Sequence, residues 1–225
     1  IYLSHYIQYE PAEFQKEMFA LTKDEHIRLA VIVAFRCSGK STIMSLSFPI
    51  CPILGRQQKK YPLLVAQTQQ QTRQNLGNIK AELETNELLK RDFGPFAQFA
   101  DEWRADTLVL PQYEARISAI SAGENVRGTR HRQTRPDLII CDDVEDANSV
   151  RFLENRDLTY SWFVGDIIPA GDTHTKIVLV GNLLHEDGLI KRLHADIDSG
   201  ARTGVFRSYP LLDSGGRILW PGKFP

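Results

Sequence analysis

The chain has 225 residues, 42% of them hydrophobic and 24% charged, which suffices for one soluble domain with one sizeable core and excludes a disordered tail protein. A formal net charge of −1 excludes a wholly basic nucleic-acid binder, and no apolar run is long enough to span a membrane. Three cysteines (Cys37, Cys51 and Cys141), an odd number without metal-ligand spacing, point to a reducing compartment and to packed rather than catalytic thiols.

No secretory pattern opens the chain, and Ile1 in place of an initiator Met reads as a trimmed start. Pro11 begins a helix over 12–21 with Phe14, Met18, Phe19 and Leu21 as its apolar stripe. Gln15 lies on that helix, either facing solvent or offering an amide donor and acceptor to the edge of a base.

The run Leu29 to Val33, then Ala34-Phe35-Arg36-Cys37-Ser38-Gly39-Lys40-Ser41-Thr42, then Ile43 onward reads strand, loop, helix. Gly39-Lys40-Ser41 has the form of the end of a phosphate-binding loop, in which backbone N–H groups and a helix N-terminus face phosphate oxygens. Lys40 then neutralises phosphate charge and the Ser41 hydroxyl ligates Mg²⁺. Ala34 stands where that pattern begins with glycine, so the loop should start on a different backbone path, and Arg36 adds a second cation. The competing reading is a chance match at a helix start.

Pro49 and Pro52 should end the helix after the loop. Leu63 to Ala66 reads as a buried strand, and Gln67-Thr68-Gln69 opens a single long helix to about Lys90. Gln67 and Thr68 are either a polar cap or contacts to DNA or nucleotide. Thr107–Leu110 and Ala115–Ile120 read as paired strands. A polar loop from Gly123 to Arg135 follows, carrying Arg127, Arg130, Arg132 and Arg135 and no acid between them.

Leu138-Ile139-Ile140-Cys141 reads as a central strand, with Asp142, Asp143, Glu145 and Asp146 at its carboxyl end, where α/β sheets bind ligands. Asp142 fits a metal-side acid, and Asp143 or Glu145 a water-orienting acid; a solvated acidic turn is the alternative. A helix over 150–164 should turn Phe152, Leu153, Leu158 and Trp162 inward. Lys176 to Val180 is a further strand ending in Gly181-Asn182. Asn182 is either an ordinary turn residue or a reporter of the γ-phosphate. A short helix over 187–194 and a strand over 205–209 complete an α/β reading.

Taken together, Arg36 to Ser41, Gly123 to Arg135, Pro136 to Asp146 and Val180-Gly181-Asn182 resemble the ATPase domain of phage large terminases, the motors that pump viral DNA into a prohead. The resemblance implies a P-loop NTPase of the RecA-like (ASCE) kind, with a mostly parallel central sheet flanked by helices and some antiparallel edge strands. It implies ATP and Mg²⁺ as cofactors. Phe35, Arg36, Cys37, Ser38, Gly39, Lys40, Ser41 and Thr42 would surround the phosphates, and Gln15 would recognise adenine. Ser41 and Asp142 would hold the metal. Asp143 or Glu145 would be the catalytic acid, although the family's usual glutamate directly after the metal-side acid is here Asp143. Asn182 would couple hydrolysis to DNA movement, and one of Arg127, Arg130, Arg132 and Arg135 would complete a neighbour's site. The implied partners are double-stranded DNA, a portal protein, a small terminase subunit and further copies in a ring on the prohead, in the cytoplasm of a bacterial host with no membrane. Residues 1–217 would be the motor domain and 218–225 the start of a linker toward a nuclease domain that the chain does not hold. A helicase-like ATPase, a small-molecule kinase and a nucleotide-binding module without turnover are the competing readings.

Overall fold

The computed structural model describes residues 2–97 and 100–225. Seven strands form one sheet: β1 Leu29–Ala34, β2 Pro62–Ala66, β3 Thr107–Leu110, β4 Ala115–Ser121, β5 Leu138–Asp142, β6 Lys176–Gly181 and β7 Val205–Tyr209. Their order is β3-β4-β2-β5-β6-β1-β7, parallel throughout except for the antiparallel edge pair β3 and β4. Strands β1, β2, β5 and β6 are near-continuous apolar runs because helices cover both faces of the sheet.

Alternate residues of each strand feed two cores. Ala30, Ile32 and Ala34 face α1 (Glu13–Lys23), α2 (Phe48–Leu54), α3 (Gln69–Thr85) and α4 (Glu87–Phe93). Leu29 and Val31 face the other layer, which holds α5 (Leu153–Trp162), α6 (Ile168–Ala170) and α7 (Leu189–Asp198). Val33 pairs with Gly181, and Asp142 with Val180, so the carboxyl ends of β1, β6 and β5 meet at one edge. That edge carries the phosphate-loop sequence, the acids and Asn182.

Several elements differ from the sequence expectation. The helix after Lys40 does not stop at the prolines. A π-helical stretch, Thr42–Ser47, runs into α2, and the Phe48 N–H reaches back to the Ile43 carbonyl. Pro49 thereby falls in the first turn of the α-helical part, where a missing N–H is tolerated. The long helix after β2 is two, broken at Asn86, whose extended backbone ends α3 and whose side chain caps α4 by accepting from the Leu89 N–H at 3.1 Å. Thr68 is the cap of α3, paired reciprocally with Gln71.

Phe152, Leu153 and Leu158 are exposed rather than inward. The segment packs through the π-helical turn that follows α5, where Phe163 and Ile167 are fully buried, while Trp162 is half-buried. Phe19 is also exposed, on the rim of a cavity described below. Of the three cysteines, all free, only Cys141 is buried; Cys37 is exposed at a loop turn rather than packed.

Candidate functional site

The loop between β1 and its helix is shaped by two left-handed residues, Cys37 (φ 63°) and Gly39 (φ 83°). Ala34 needs no such conformation because it still belongs to β1, and the Phe35 N–H donates to the Tyr209 carbonyl of β7. Alternation of left- and right-handed backbone makes a concave nest of N–H groups suited to an anion. Gly39 suits its place: its φ favours glycine, and a Cβ there would stand 2.9 Å from Gln15 Nε2 and push that side-chain end aside.

Gln15 is buried and engaged at both ends of its amide. Its oxygen accepts from the Ala12 N–H at 3.0 Å, capping α1, and its nitrogen donates to the Ser38 carbonyl at 2.7 Å. It braces the loop from behind. Arg36 is exposed and makes no hydrogen bond or ion pair among the described residues.

Lys40 is 7% exposed, and its Nζ stands 3.4 Å from Asp143 Oδ2. Asn182 hangs from the end of β6 into the same cluster. With its amide oxygen toward Lys40 Nζ (3.3 Å), its nitrogen donates to the Ala34 carbonyl at 2.9 Å and both ends are satisfied. The reverse orientation brings Nδ2 to Asp143 Oδ1 at 3.3 Å. A Cβ on Gly181 would press on Ile190 Cδ1 at 3.2 Å and only touch Asp143 Oδ1 at 3.4 Å. Asp143 itself sits in the left-handed region (φ 47°), its N–H donating to the Val180 carbonyl at 2.9 Å.

Asp142 is 6% exposed and accepts from Ser45 Oγ at 2.6 Å, while its Oδ1 is buried without a partner among the described residues. Burial raises its pKa, the Ser45 and Ser41 hydroxyls and Lys40 oppose that rise, and the charge of Asp143 adds to it. Such a group favours an approaching cation or proton. Ser45 was not singled out from sequence. Its signal was spacing: it lies one helical turn beyond Ser41.

Glu145 borders the same cleft as Asp143 and Asn182 but is held by a helix end. Its Oε1 accepts from the Leu189 N–H at 2.7 Å, at the start of α7. Burial raises its pKa and the N–H groups of Leu189 and Ile190 hold it down. The structure therefore brings Lys40, Asp142, Asp143 and Asn182 together and gives Glu145 to a helix end.

The arginine loop passes from the end of β4 to the start of β5. Arg127 pairs with Asp166 and reaches the Gly165 carbonyl, Arg132 pairs with Glu114 at 3.2 Å, and Arg135 donates to the Pro169 carbonyl at 3.2 Å. Arg130 is exposed and has no hydrogen-bond or ion-pair partner among the described residues.

Beside Gly39, Thr42 and Gln15 opens a largely apolar cavity of about 500 Å³, walled by Tyr6, Tyr9, Phe19 and Ile50. The N-terminal strap that roofs it is tied to α3 through Glu82, which receives His5 Nε2 at 2.9 Å and the Tyr6 hydroxyl at 3.0 Å. The strap was hard to read from sequence because its residues follow neither helical nor strand periodicity.

No protein-family model matches the chain, and no curated protein matches it by sequence. Solved structures do. A mutant of the large terminase ATPase domain of Thermus phage P74-26 superposes with TM-score 0.61 at 16% identity, over 97% of this chain and 86% of that one. The HK97 bacteriophage large terminase gives 0.60 at 12%, over 89% of this chain. The large terminase of a thermophilic bacteriophage in complex with ADP gives 0.53 at 12%, over 89% of this chain and 45% of that one. The chain has the fold of the phage large terminase ATPase domain. It spans 39% of the HK97 terminase chain, and at these identities the likeness concerns the terminase fold itself. Among the described residues, no helix is long and apolar enough to cross a membrane.

Proposed function

We propose that the chain is the ATP-hydrolysing motor domain of a DNA-packaging terminase from a phage or prophage. The observation that carries this reading is the meeting of Lys40 with Asp143 at 3.4 Å, one strand apart, beside a buried Asp142 and next to the loop turned by Cys37 and Gly39. In this reading the phosphates of ATP lie against residues 35–42, and Lys40 exchanges Asp143 for β- and γ-phosphate oxygens. Arg36, free in the loop, adds positive charge where charge develops. The apolar cavity next to Gly39 receives the nucleoside, with Gln15 holding the loop at its margin.

Ser41 and Asp142 would hold Mg²⁺; the partnerless Asp142 Oδ1 and the nearby hydroxyls suit a hard cation. No group of three or more acid, His or Cys side chains among the described residues forms a metal cage, so phosphate oxygens and water would complete its shell. When bound, the ion neutralises phosphate charge. Asp143 is assigned as the acid that accepts a proton from the attacking water, and Glu145 as a helix cap. Asn182, which meets Lys40 and the Ala34 carbonyl in one amide orientation and Asp143 in the other, is assigned as the reporter of γ-phosphate loss. Arg130 is assigned as the arginine offered to a neighbouring copy, because Arg127 and Arg135 are already engaged within the chain.

The reading takes 1–217 as the motor domain and 218–225, which packs back on it through Trp220 and Phe224, as the start of a linker toward a nuclease domain. Its partners are double-stranded DNA, a portal protein, a small terminase subunit and further copies in a ring, in the bacterial cytoplasm. Phosphate release from ATP by the purified chain tests the core of this reading. Turnover that needs Mg²⁺ and vanishes in Lys40→Ala is expected; undiminished turnover in Lys40→Ala overturns it. Stimulation by double-stranded DNA in the assembled ring tests the packaging role.

A further inference from the structure

Two consecutive carbonyls of the phosphate-loop sequence are held from outside. Gln15 Nε2 takes the Ser38 carbonyl at 2.7 Å, and Lys223 Nζ takes the Cys37 carbonyl at 2.8 Å. In a trans peptide the C=O and the following N–H point in opposite directions. Holding these two oxygens therefore fixes where the N–H groups of Ser38 and Gly39 point. The Ser38 N–H is aimed inward and meets the Phe35 carbonyl at 3.2 Å. The residue whose carbonyl Lys223 holds is Cys37, left-handed at φ 63°, a conformation a side chain with a Cβ rarely keeps unaided.

Lys223 is itself fixed. Its ammonium lies over three rings, 4.9 Å from the Trp220 centroid, 5.6 Å from Phe224 and 5.9 Å from Tyr9. Trp220 is buried and donates its Nε1 to the Glu10 carbonyl at 3.0 Å, and Phe224 packs edge-on against Phe35 at 5.7 Å. Among the described residues no carboxylate pairs with Lys223, so its charge is directed to the loop.

We propose that Lys223, caged by Tyr9, Trp220 and Phe224, is a positioning residue for nucleotide binding: it locks Cys37 in its left-handed turn and so presets the loop for phosphate. This rests on the nucleotide-site reading above. A loop held ready loses less freedom when the phosphate arrives, so the effect falls on binding in the ground state and in the transition state alike.

The test uses the whole chain, a fluorescent ADP analogue as binding probe, and steady-state ATP turnover. Lys223→Met is expected to weaken ADP binding and raise KM for ATP about tenfold, the size of one lost charge-assisted hydrogen bond, with kcat within about twofold. Lys223→Arg, which keeps the cation, should recover most of the affinity. A Lys223→Met protein with unchanged KM, or one that loses kcat as much as affinity, or an arginine variant no better than the methionine one, overturns the proposal. Lys40→Ala runs alongside. If it loses ADP binding while Lys223→Met keeps it, the positioning role alone falls; if Lys40→Ala binds like the parent, the nucleotide-site reading falls and takes the positioning role with it.

Discussion

Lys40 and Asp143 touch across a strand that belongs to neither: Lys40 follows β1, Asp143 follows β5, and β6 runs between them. Asn182, at the end of that spacer strand, reaches into the gap between them. Removing the carboxylate charge in Asp143→Asn should free Lys40 for phosphate, so ADP and ATP should bind as tightly as in the parent or tighter. If Asp143 takes the proton from water, kcat should fall by about 10²-fold or more. Paired titrations with a fluorescent ADP analogue and single-turnover phosphate release check both halves.

Glu145→Ala should do the opposite. The variant leaves the Leu189 N–H at the start of α7 without its acceptor, at a cost of about 1–2 kcal/mol. For a chain of this size that lowers the melting midpoint by roughly 2–4 °C per kcal/mol. Turnover below the melting range should persist. Calorimetry beside an activity assay separates the two acids.

Asp142 is held at a cost to the nucleotide-free fold. Its folded pKa lies above the ordinary carboxylate value because of burial, so the native state binds that proton more tightly than the unfolded chain. The stability it contributes is therefore fullest at acid pH and declines as pH rises through the shifted value. Asp142→Asn keeps an acceptor for Ser45 and removes the charge. In the absence of nucleotide it should melt at or above the parent temperature at neutral pH, while Mg²⁺-dependent turnover collapses. Denaturant midpoints measured from mildly acid to neutral pH should show a shallower decline for the variant.

Lys176 titrates the other way. It is buried at the start of β6, where its ammonium donates to the Leu21 and Asp24 carbonyls at 2.6 Å each, and burial lowers its pKa to about 8. The unfolded chain keeps this proton to higher pH than the native one, so Lys176 makes stability rise with pH from about 8 towards the ordinary lysine value. Lys176→Met should abolish that rise. The difference in urea midpoint between parent and variant, followed across this window, measures it.

The sheet was legible in the sequence because its central strands are buried on both faces and read as unbroken apolar runs, as Leu138 to Cys141 does. That the Gly39-Lys40-Ser41 turn and the acids after β5 would meet was legible from their order along the chain, each following an apolar strand. Helix limits were less so. Pro49 and Asn86 each gave a local signal whose outcome depended on neighbours: the π-helical turn before Pro49 absorbed a proline that propensity alone reads as a stop. The inward face of α5 was misread because Phe152, Leu153 and Leu158 have the spacing of a packed stripe but are left exposed, with no layer over them among the described residues. The different surroundings of Asp143 and Glu145 lay beyond sequence. Both acids follow one strand, and only the position of α7 draws one of them aside.

The left-handed backbone of Asp143 bears on the missing glutamate. Aspartate and asparagine tolerate that region better than longer side chains do, because a short polar group can satisfy itself locally. Asp143→Glu should therefore lose stability as well as turnover, visible together in melting and phosphate release. Drift between the two acids at this position thus meets a backbone preference, one that Glu114 of the same chain overcomes at φ 51°.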